Sequence, residues 1–557
     1  MAVSSWDAMN FILYSDVNDS SISQSLGRPE YSYFFVLKAY RPVLESLGRV
    51  HVVTSAADVD PLYRQLQQAG QESLFLSFSP PHKTPTDLQC PMVCVVAWEF
   101  DSIPAEHWDN DPRHDWSQTL ARHGRVITLS SHTAQAIRRT MGEDFPVLVL
   151  PTPLWERFAD IRQQSASQPV NPGTTLQTLG CIIDSRTLGL SADGLIAPIV
   201  AEAEPQPEPQ PEPALEPEAV VPAPPLTWRR RLFITKHYLR QSLREAAGQP
   251  LRRQLVIFRH YLHQVYGEGF RDLLPQSLRA RLRGERPAAE VSPPAPVVEV
   301  VERAHVPLED SHPQAVFPDT DQVVEIQVEG VVYVSVFNPD DGRKNWHHVI
   351  TAFCWAMRDV EDATLVLKMT QKDLSTYYVH MLTLLSQLSP FSCRVVVIHG
   401  YLDDQQFARL YGAASFYVNA SRCEGLCLPL MEFMACGKPV IAPRHTAMLD
   451  YIDDRVAFIV DSSQEPTVWP QDSRILFRTV YQRPDWGSLK NAYLASYHMA
   501  KAQPERYQAM ASAANERMRD YCNFPGVQQR LADFLRLQQP TNPVPESPVA
   551  TAGAASC

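Results

Sequence analysis

Short apolar runs alternate with amphipathic stretches in the first part of this chain. The runs are FILY (11–14), RVHVVT (49–54), SLFLSF (73–78), MVCVVAW (92–98), RVITL (125–129) and PVLVL (146–150). They are rich in β-branched residues and apolar throughout, which is typical of parallel strands covered on both faces. Helix-like stretches such as SHTAQAIRRTMG lie between them and end at glycine. This alternation predicts a doubly wound α/β domain over residues 1–162.

The same rhythm returns near residue 322. The strand candidates there are residues 331–337, 363–369, 394–398, 415–419, 439–442 and 457–460, again separated by helix-like stretches. They predict a second Rossmann-like domain over residues 321–540. The expected fold class is therefore α/β, with two Rossmann-like doubly wound domains that face each other across a cleft.

The alternation is lost between the two domains, over residues 163–320. Proline is over-represented in the chain, with 47 Pro against 22 Gly, and residues 201–225 are almost entirely Pro, Glu, Ala and Gln. This stretch and a second one over 287–318 are predicted to be disordered linkers, and 541–557 a disordered tail. Deletion of 165–320 is expected to leave both domains folded.

The segment between the linkers, residues 227–286, is rich in Arg with interleaved aromatic and aliphatic residues at helical spacing. Three interpretations stand side by side. The segment binds an anionic membrane surface and brings the protein to a lipid-linked acceptor, it docks a protein partner, or it is a solvated helical hairpin.

Composition narrows the class of protein. A net charge of −12 argues against a nucleic-acid-binding protein. The ten Cys form no CxxC pair and are expected to be reduced, with no metal site. The N-terminus lacks the pattern of a signal peptide, and no apolar run reaches the roughly 18 residues of a membrane span. A cytoplasmic protein is expected, peripheral at most on the inner membrane face.

The stretch ASRCEGLCLPLMEFMACGKPVIAP (420–443) carries the candidate chemistry. It is predicted to be a loop that leaves a strand and enters a helix near Leu428. The loop places Glu424 and Gly425 at the carboxyl end of the strand, beside a helix N-terminus that can bind a diphosphate. Glu432 follows eight residues later and can face the same cleft. Alternatively, it only caps the helix N-terminus or stabilises the helix through its dipole.

The pattern E-G-x-x-x-P-x-x-E-x-M-A-x-G-x-P-V-I-A resembles the E-x7-E signature of retaining glycosyltransferases of the GT-B fold, family 4, also called glycosyl transferases group 1. VSVFNPDDGRKNWHHVITAF is similar to the family's phosphate-binding entry to the C-terminal domain, and RVITLSSHTAQAIRRTMG to the end of its N-terminal domain. The resemblance covers roughly residues 10–160 and 325–540.

The resemblance implies residue roles. Glu424 would contact the donor sugar, Glu432 the ribose hydroxyls, and Lys344 the donor diphosphate, with Arg343 as a second candidate for that role. The remaining donor-binding positions would be Asn338, which stands where the family usually has Arg, and Gly425, Leu426, Cys427 and Leu428, where Leu426-Cys427 replaces the usual Phe-Gly.

Glu99 lies where many members have a His. It would orient the acceptor or the sugar, or it is an ordinary carboxylate at the edge of the cleft, paired with an Arg.

The resemblance also implies the reaction. A sugar would pass from a nucleotide-sugar donor to a saccharide or lipid-linked acceptor with retention of configuration, in polysaccharide or glycoconjugate biosynthesis, without metal or cofactor. One alternative is a catalytically weak GT-B scaffold that binds nucleotide sugar. The other is a different GT-B enzyme, an epimerase or a phosphorylase, against which the E-x7-E context argues.

Overall fold

The computed structural model describes residues 9–17, 31–106, 111–164, 167–190, 317–470, 472 and 474–535, with scattered positions between 228 and 262. Residues 1–199 and 313–557 form one compact unit, and residues 200–312 form another. The two Pro-rich linkers, the tail at 541–557 and most of the basic segment at 227–286 lie outside the described residues, so the predictions made for them stay predictions.

The N-terminal domain is built on six parallel strands in the order β2-β1-β3-β4-β5-β6. Each predicted apolar run corresponds to one strand. The strands are β1 (Met9–Ser15), β2 (Arg49–Val52), β3 (Glu72–Phe78), β4 (Met92–Val96), β5 (Val126–Thr128) and β6 (Val147–Val149). The helices are α1 (Tyr31–Leu47), α2 (Val59–Gln68), α3 (Trp116–His123), α4 (Ser131–Met141) and α5 (Ala159–Gln164).

The C-terminal domain contains a second sheet whose parallel strands run in the order β10-β9-β8-β11-β12-β13. They are β8 (Val323–Phe337), β9 (Ala363–Met369), β10 (Arg394–Tyr401), β11 (Phe416–Val418), β12 (Val440–Pro443) and β13 (Ala457–Val460). This is the doubly wound Rossmann order. The helices that accompany the strands are α6 (Trp346–Ala356), α7 (Tyr378–Leu388), α8 (Asp404–Ala413) and α9 (Leu428–Ala435). The predicted fold of two facing Rossmann-like domains is confirmed.

One strand of the second sheet comes from the stretch assigned to the insert. Strand β7 (Asn171–Asp184) pairs antiparallel with the first half of β8 and with one edge of β10. Asp184 forms an ion pair with Arg394 at 2.7 Å, and both side chains are largely buried. The prediction that 163–320 lies outside both domains is therefore wrong for this strand, because β7 supplies hydrogen bonds that two other strands need. A deletion that spares the sheet must begin after residue 190 rather than at 165.

The chain after β13 adds elements that the sequence pattern did not reveal. Strands β14 (Ser462–Val468) and β15 (Arg478–Pro484) form an antiparallel hairpin. Three helices follow, α10 (Trp486–Ala502), α11 (Pro504–Cys522) and α12 (Phe524–Leu535).

The last helix returns to the N-terminal domain. The backbone N–H of Phe524 donates to Glu156, and the Gln528 amide donates to Ser46 at the end of α1. The assignment of 321–540 to the C-terminal domain is therefore corrected at its end, because α12 packs on α1 and joins the two domains.

No helix among the described residues is long and apolar enough to cross a membrane. Nine cysteines in this part of the chain are free and buried, including Cys94, Cys354 and Cys436 in the hydrophobic cores. Their burial is typical of free cysteines, which pack as small apolar side chains.

Candidate active site

The candidate site lies where the winding of the C-terminal sheet reverses, between β8 and β11. Ligands of doubly wound sheets bind at this point, outside the carboxyl ends of the strands. A cavity of about 940 Å³ opens there and reaches the end of β4 in the N-terminal domain. All ten predicted site residues line it, namely Glu99, Asn338, Arg343, Lys344, Glu424, Gly425, Leu426, Cys427, Leu428 and Glu432.

Glu424 is the most firmly held carboxylate of the cavity. Lys344 Nζ donates to its Oε1 at 2.6 Å, and Arg343 donates to its Oε2 at 3.0 Å. Burial alone would raise the pKa of Glu424, but the two cations outweigh burial and lower the pKa to about 2. Glu424 is therefore a fixed, ionised acceptor at neutral pH.

Arg343 connects the two domains through a small ionic network. Its Nε lies 2.9 Å from Asp341 and 3.5 Å from Glu99 of the N-terminal domain. Its terminal nitrogen Nη1 forms the ion pair with Glu424. Burial would lower the pKa of Arg343, but the three carboxylates around it raise that pKa well above its usual value.

The pKa of Glu99 shifts in the direction opposite to that of Glu424. Burial raises the pKa of Glu99, and Arg343 offsets this only in part. Its pairing with Arg343 agrees with the alternative interpretation of a carboxylate at the cleft edge, although the residue also faces the cavity.

Glu432 stands at the other end of the same loop and helix. Tyr411 on α8 donates its hydroxyl hydrogen to Glu432 Oε2 at 2.8 Å, and Arg157 of the N-terminal domain lies 3.9 Å from Oε1. Burial raises the pKa of Glu432, and these two neighbours offset it only in part. The carboxyl group therefore faces the cleft with a weaker set of partners than Glu424.

The loop between the two glutamates touches the N-terminal domain. A Cβ added at Gly425 would lie 2.9 Å from the backbone nitrogen of Trp98, so only glycine fits the gap. Cys427 has φ 66° and ψ 60°, a left-handed conformation that favours glycine. Helix α9 begins at the next residue, with Pro429 in its first turn. The loop thus brings the N-terminus of α9 to the cavity.

Asn338 shapes the loop after β8 rather than supplying charge. Its side-chain oxygen accepts from the backbone N–H of Asp340, and its carbonyl accepts from that of Asp341. The Asp341 side chain in turn accepts from the N–H of Arg343 and begins the short turn Gly342–Lys344. This turn aims Arg343 and Lys344 at Glu424.

Sequence reasoning missed several side chains of the site. Tyr411 and Arg157 hold Glu432, and Asp341 holds Arg343. A local signal existed only for Asp341, since an Asp two residues before Arg343 is typical of a turn cap. Tyr411 and Arg157 reach the site only through the folding of distant segments.

In the part of the chain that the structure describes, no group of three or more His, Cys, Asp or Glu side chains is placed to hold a metal ion. The expected independence of metal stays a prediction.

Residues 330–469 match the profile of the family described as glycosyl transferases group 1. This stretch includes the loops after β8 and β11, with Lys344, Glu424 and Glu432. The C-terminal domain is of the glycosyl transferases group 1 type.

One relative from Escherichia coli, O-antigen chain mannosyltransferase B, is 38% identical over 55 residues. The similar stretch is 10% of this chain and spans 14% of the length of that protein. It is therefore a local similarity.

Two solved structures align with most of the chain. Anabaena Alr3699/HepE in complex with UDP and glucose has a TM-score of 0.41 and 12% identity, over 95% of this chain and 99% of that one. Sucrose-phosphate synthase from Thermosynechococcus elongatus has a TM-score of 0.43 and 11% identity, over 95% and 98%.

Proposed function

We propose that this chain is a glycosyltransferase that moves a sugar from a nucleotide-sugar donor to an acceptor hydroxyl with retention of anomeric configuration. The observation that carries the proposal is the Glu424 carboxylate, held by Lys344 and Arg343 at the switch point of a group 1 domain. In the proposed reaction, this carboxylate would accept hydrogen bonds from sugar hydroxyls, and the two cations beside it would bind the leaving diphosphate.

The leaving group of such a reaction gains negative charge as the bond to the sugar breaks. Lys344, Arg343 and the N-terminus of α9 line the cavity and would stabilise that charge without reorganisation. When donor binds, the diphosphate would share these two cations with Glu424. Glu424, already ionised, would accept hydrogen bonds from hydroxyls of the transferred sugar.

Glu432 would hold the nucleoside end of the donor. A carboxyl group with one tyrosine partner and one distant arginine retains free acceptor positions for the two hydroxyls of a ribose. Its place in the same cavity as Glu424 supports a donor that extends along α9.

Retention in this proposal follows from attack on the face from which the diphosphate departs. The acceptor hydroxyl approaches the anomeric carbon, and its proton passes to the departing phosphate oxygen. No side chain is then needed as a base, and closure of the two domains would exclude water from the site.

The acceptor would bind on the side of the N-terminal domain, near Glu99 and Trp98. A saccharide or lipid-linked saccharide acceptor in polysaccharide or glycoconjugate synthesis is proposed. The name of the E. coli relative, an O-antigen chain mannosyltransferase, is in keeping with this class.

The test has two stages. Thermal unfolding is first measured with UDP, GDP, ADP and CDP and their common sugar conjugates. A ligand at about 100 times its dissociation constant adds roughly 2.7 kcal/mol to the stability. The best conjugate is then incubated with a panel of saccharide acceptors, and the anomeric proton coupling of the product is compared with that of the donor.

Product with the donor's anomeric configuration supports the proposal, and inverted product contradicts the mechanism. Binding without turnover on any acceptor favours the alternative of a nucleotide-sugar-binding scaffold. A protein that no nucleotide stabilises contradicts both.

A further inference from the structure

Lys368 is a buried lysine that the proposed mechanism leaves without a role. It lies one residue before the end of β9, between Val336 on β8 and Ile398 on β10 in the register of the sheet. Its side chain shares a face with Val366, where the neighbouring positions are aliphatic. Only 2% of the residue is exposed to solvent, and it lines the 940 Å³ cavity.

The ammonium group of Lys368 has little to compensate its burial. Its Nζ donates to the carbonyl oxygen of Met369 at 2.5 Å. Among the described residues, no carboxylate lies within 4.0 Å of this nitrogen. Burial lowers the pKa of Lys368 to about 7. Because a buried charge without an anion is costly, such a group is expected to meet an anion when the site is filled.

The charges of the cavity lining support the same conclusion. Arg157, Arg343 and Lys344 are each within ion-pair distance of at least one carboxylate. The lining contains five Arg and Lys side chains and six carboxylates. The carboxylates are those of Glu99, Asp340, Asp341, Asp404, Glu424 and Glu432. A diphosphate that enters this site therefore meets three cations, Arg157, Arg343 and Lys344, that already form ion pairs with carboxylates of the protein.

Arg422 is the other lining cation for which the described residues offer no carboxylate within 4.0 Å. It differs from Lys368 because its guanidinium donates to the hydroxyl of Tyr481 and stacks over that ring at 5.0 Å. It is also only partly buried. Of these two cations, Lys368 is therefore the more deeply buried.

We propose that Lys368 is a donor-binding residue whose ammonium group contacts the diphosphate of the donor nucleotide. This inference rests on the proposed function, since it takes the diphosphate from the same nucleotide. It adds a third cation, from β9, to the pair supplied by the loop after β8. The three would approach the diphosphate from two neighbouring strands.

A proton should accompany the nucleotide. At about pH 8 a fraction of Lys368 is neutral in the free protein, because burial lowers its pKa. Contact with a diphosphate favours the charged form and raises that pKa. Binding should then take up a proton in an amount that grows between about pH 7 and pH 9, and reaches at most about one per nucleotide.

The experiment is titration calorimetry of the full chain with UDP, GDP, ADP and CDP at about pH 8. Each titration is run in two buffers of different ionisation enthalpy, which reveals proton uptake. Lys368→Met removes the charge and keeps the length of the side chain. It should weaken the best nucleotide by about tenfold to a hundredfold, the usual effect of losing a hydrogen bond to a charged group. It should also abolish the proton uptake.

The exposed Lys372→Met is the matched control and should change neither quantity. Because Lys368→Met removes a buried charge, its thermal stability without nucleotide should be at least that of the wild type. A loss of folding would show instead that the lysine is needed for structure and would overturn the inference.

Inorganic pyrophosphate separates a contact with the diphosphate from a contact with the base. Pyrophosphate should compete with the nucleotide in the wild type and compete far less well in Lys368→Met. If pyrophosphate competes equally well in the wild type and in Lys368→Met, and the variant only changes its preference among the four nucleotides, the proposed contact with the diphosphate is wrong. If the wild type binds a nucleotide and Lys368→Met binds it equally well with the same proton uptake, the inference fails alone. If the wild type binds none of the four, the proposed function fails with it.

Discussion

The two ends of the cavity differ although each is built around a glutamate of the same loop and helix. At one end, Glu424 is enclosed by Lys344 and Arg343 and has a pKa lowered to about 2. At the other end, Glu432 has a tyrosine hydroxyl and an arginine at 3.9 Å, and burial raises its pKa. The two glutamates thus differ in charge stability: the negative charge of Glu424 is strongly stabilised, and that of Glu432 is only weakly stabilised.

Neighbours from other elements determine what each carboxylate can do. Lys344 and Arg343 arrive from the loop after β8, which is adjacent to β11 in the sheet. Tyr411 arrives from α8 and Arg157 from the N-terminal domain. In the proposed reaction, the Glu424 end suits the group on which charge changes, and the Glu432 end suits neutral hydroxyls.

The sharpest test of this comparison replaces each glutamate by glutamine. Glu424→Gln removes the charge that aligns Lys344 and Arg343 for the leaving diphosphate, so kcat should fall by about 100-fold to 1000-fold, as for other groups that act on the transition state. Glu432→Gln should instead raise the donor KM about tenfold with a small change in kcat, because it weakens hydrogen bonds to the bound donor. Steady-state release of nucleoside diphosphate measures both.

The exposed Glu516→Gln on α11 is the control and should behave as the wild type. If both cavity variants change kcat and KM to the same extent, the two ends are functionally alike and the comparison is wrong.

A smaller effect is expected where the loop between the two glutamates meets the other domain. Gly425→Ala would place a Cβ 2.9 Å from the backbone nitrogen of Trp98, which cannot move as a side chain could. Overpacking of this kind destabilises a protein by about 1 to 3 kcal/mol. We expect the added methyl group to push the loop that contains Gly425 away from the N-terminal domain.

Activity should therefore fall while the circular dichroism spectrum stays unchanged. Gly487→Ala is a suitable control, because an added Cβ there would meet only a side-chain oxygen of Asp485 at 3.2 Å. An active Gly425→Ala enzyme would mean that the contact with Trp98 is not needed for closure of the site.

The smallest effect concerns stability in acid. The pKa of Glu424 is lower in the folded protein than in the unfolded chain, so its contribution to stability is fully present above the unfolded carboxyl pKa. The contribution is lost as the pH falls toward about 2. Between about pH 6 and pH 4, the free energy of unfolding of the wild type should fall by about 1 kcal/mol more than that of Glu424→Gln.

Glu432 should behave with the opposite sign. Its raised pKa means that the folded protein binds this proton more readily, so stability from this group is lost as the pH rises. Urea unfolding of both variants at each pH measures the contrast. Parallel curves for Glu424→Gln and the wild type would show that Lys344 and Arg343 do not stabilise the Glu424 carboxylate.

Much of the fold could be predicted from the alternation of apolar runs and helical stretches. All twelve predicted strands are present, because buried parallel strands require short continuous apolar runs. Strand β7 was missed because its residues alternate in burial and its first residues include Pro172 and Gly173, so it differs from the continuous apolar runs. The return of α12 to α1 leaves no local signal, since it depends on which faces of distant helices meet.

The places of Glu424, Arg343 and Lys344 in loops after strands, and of Glu432 in the helix that follows, could be predicted from the order of apolar runs along the chain. Their electrostatics depend on the folded arrangement. The pairing of Lys344 with Glu424, the link from Arg343 to Glu99, and the burial of Lys368 without a carboxylate partner all depend on strand order and domain packing. Desolvation and charge act over a few ångströms in space, and residues that are far apart along the chain supply them.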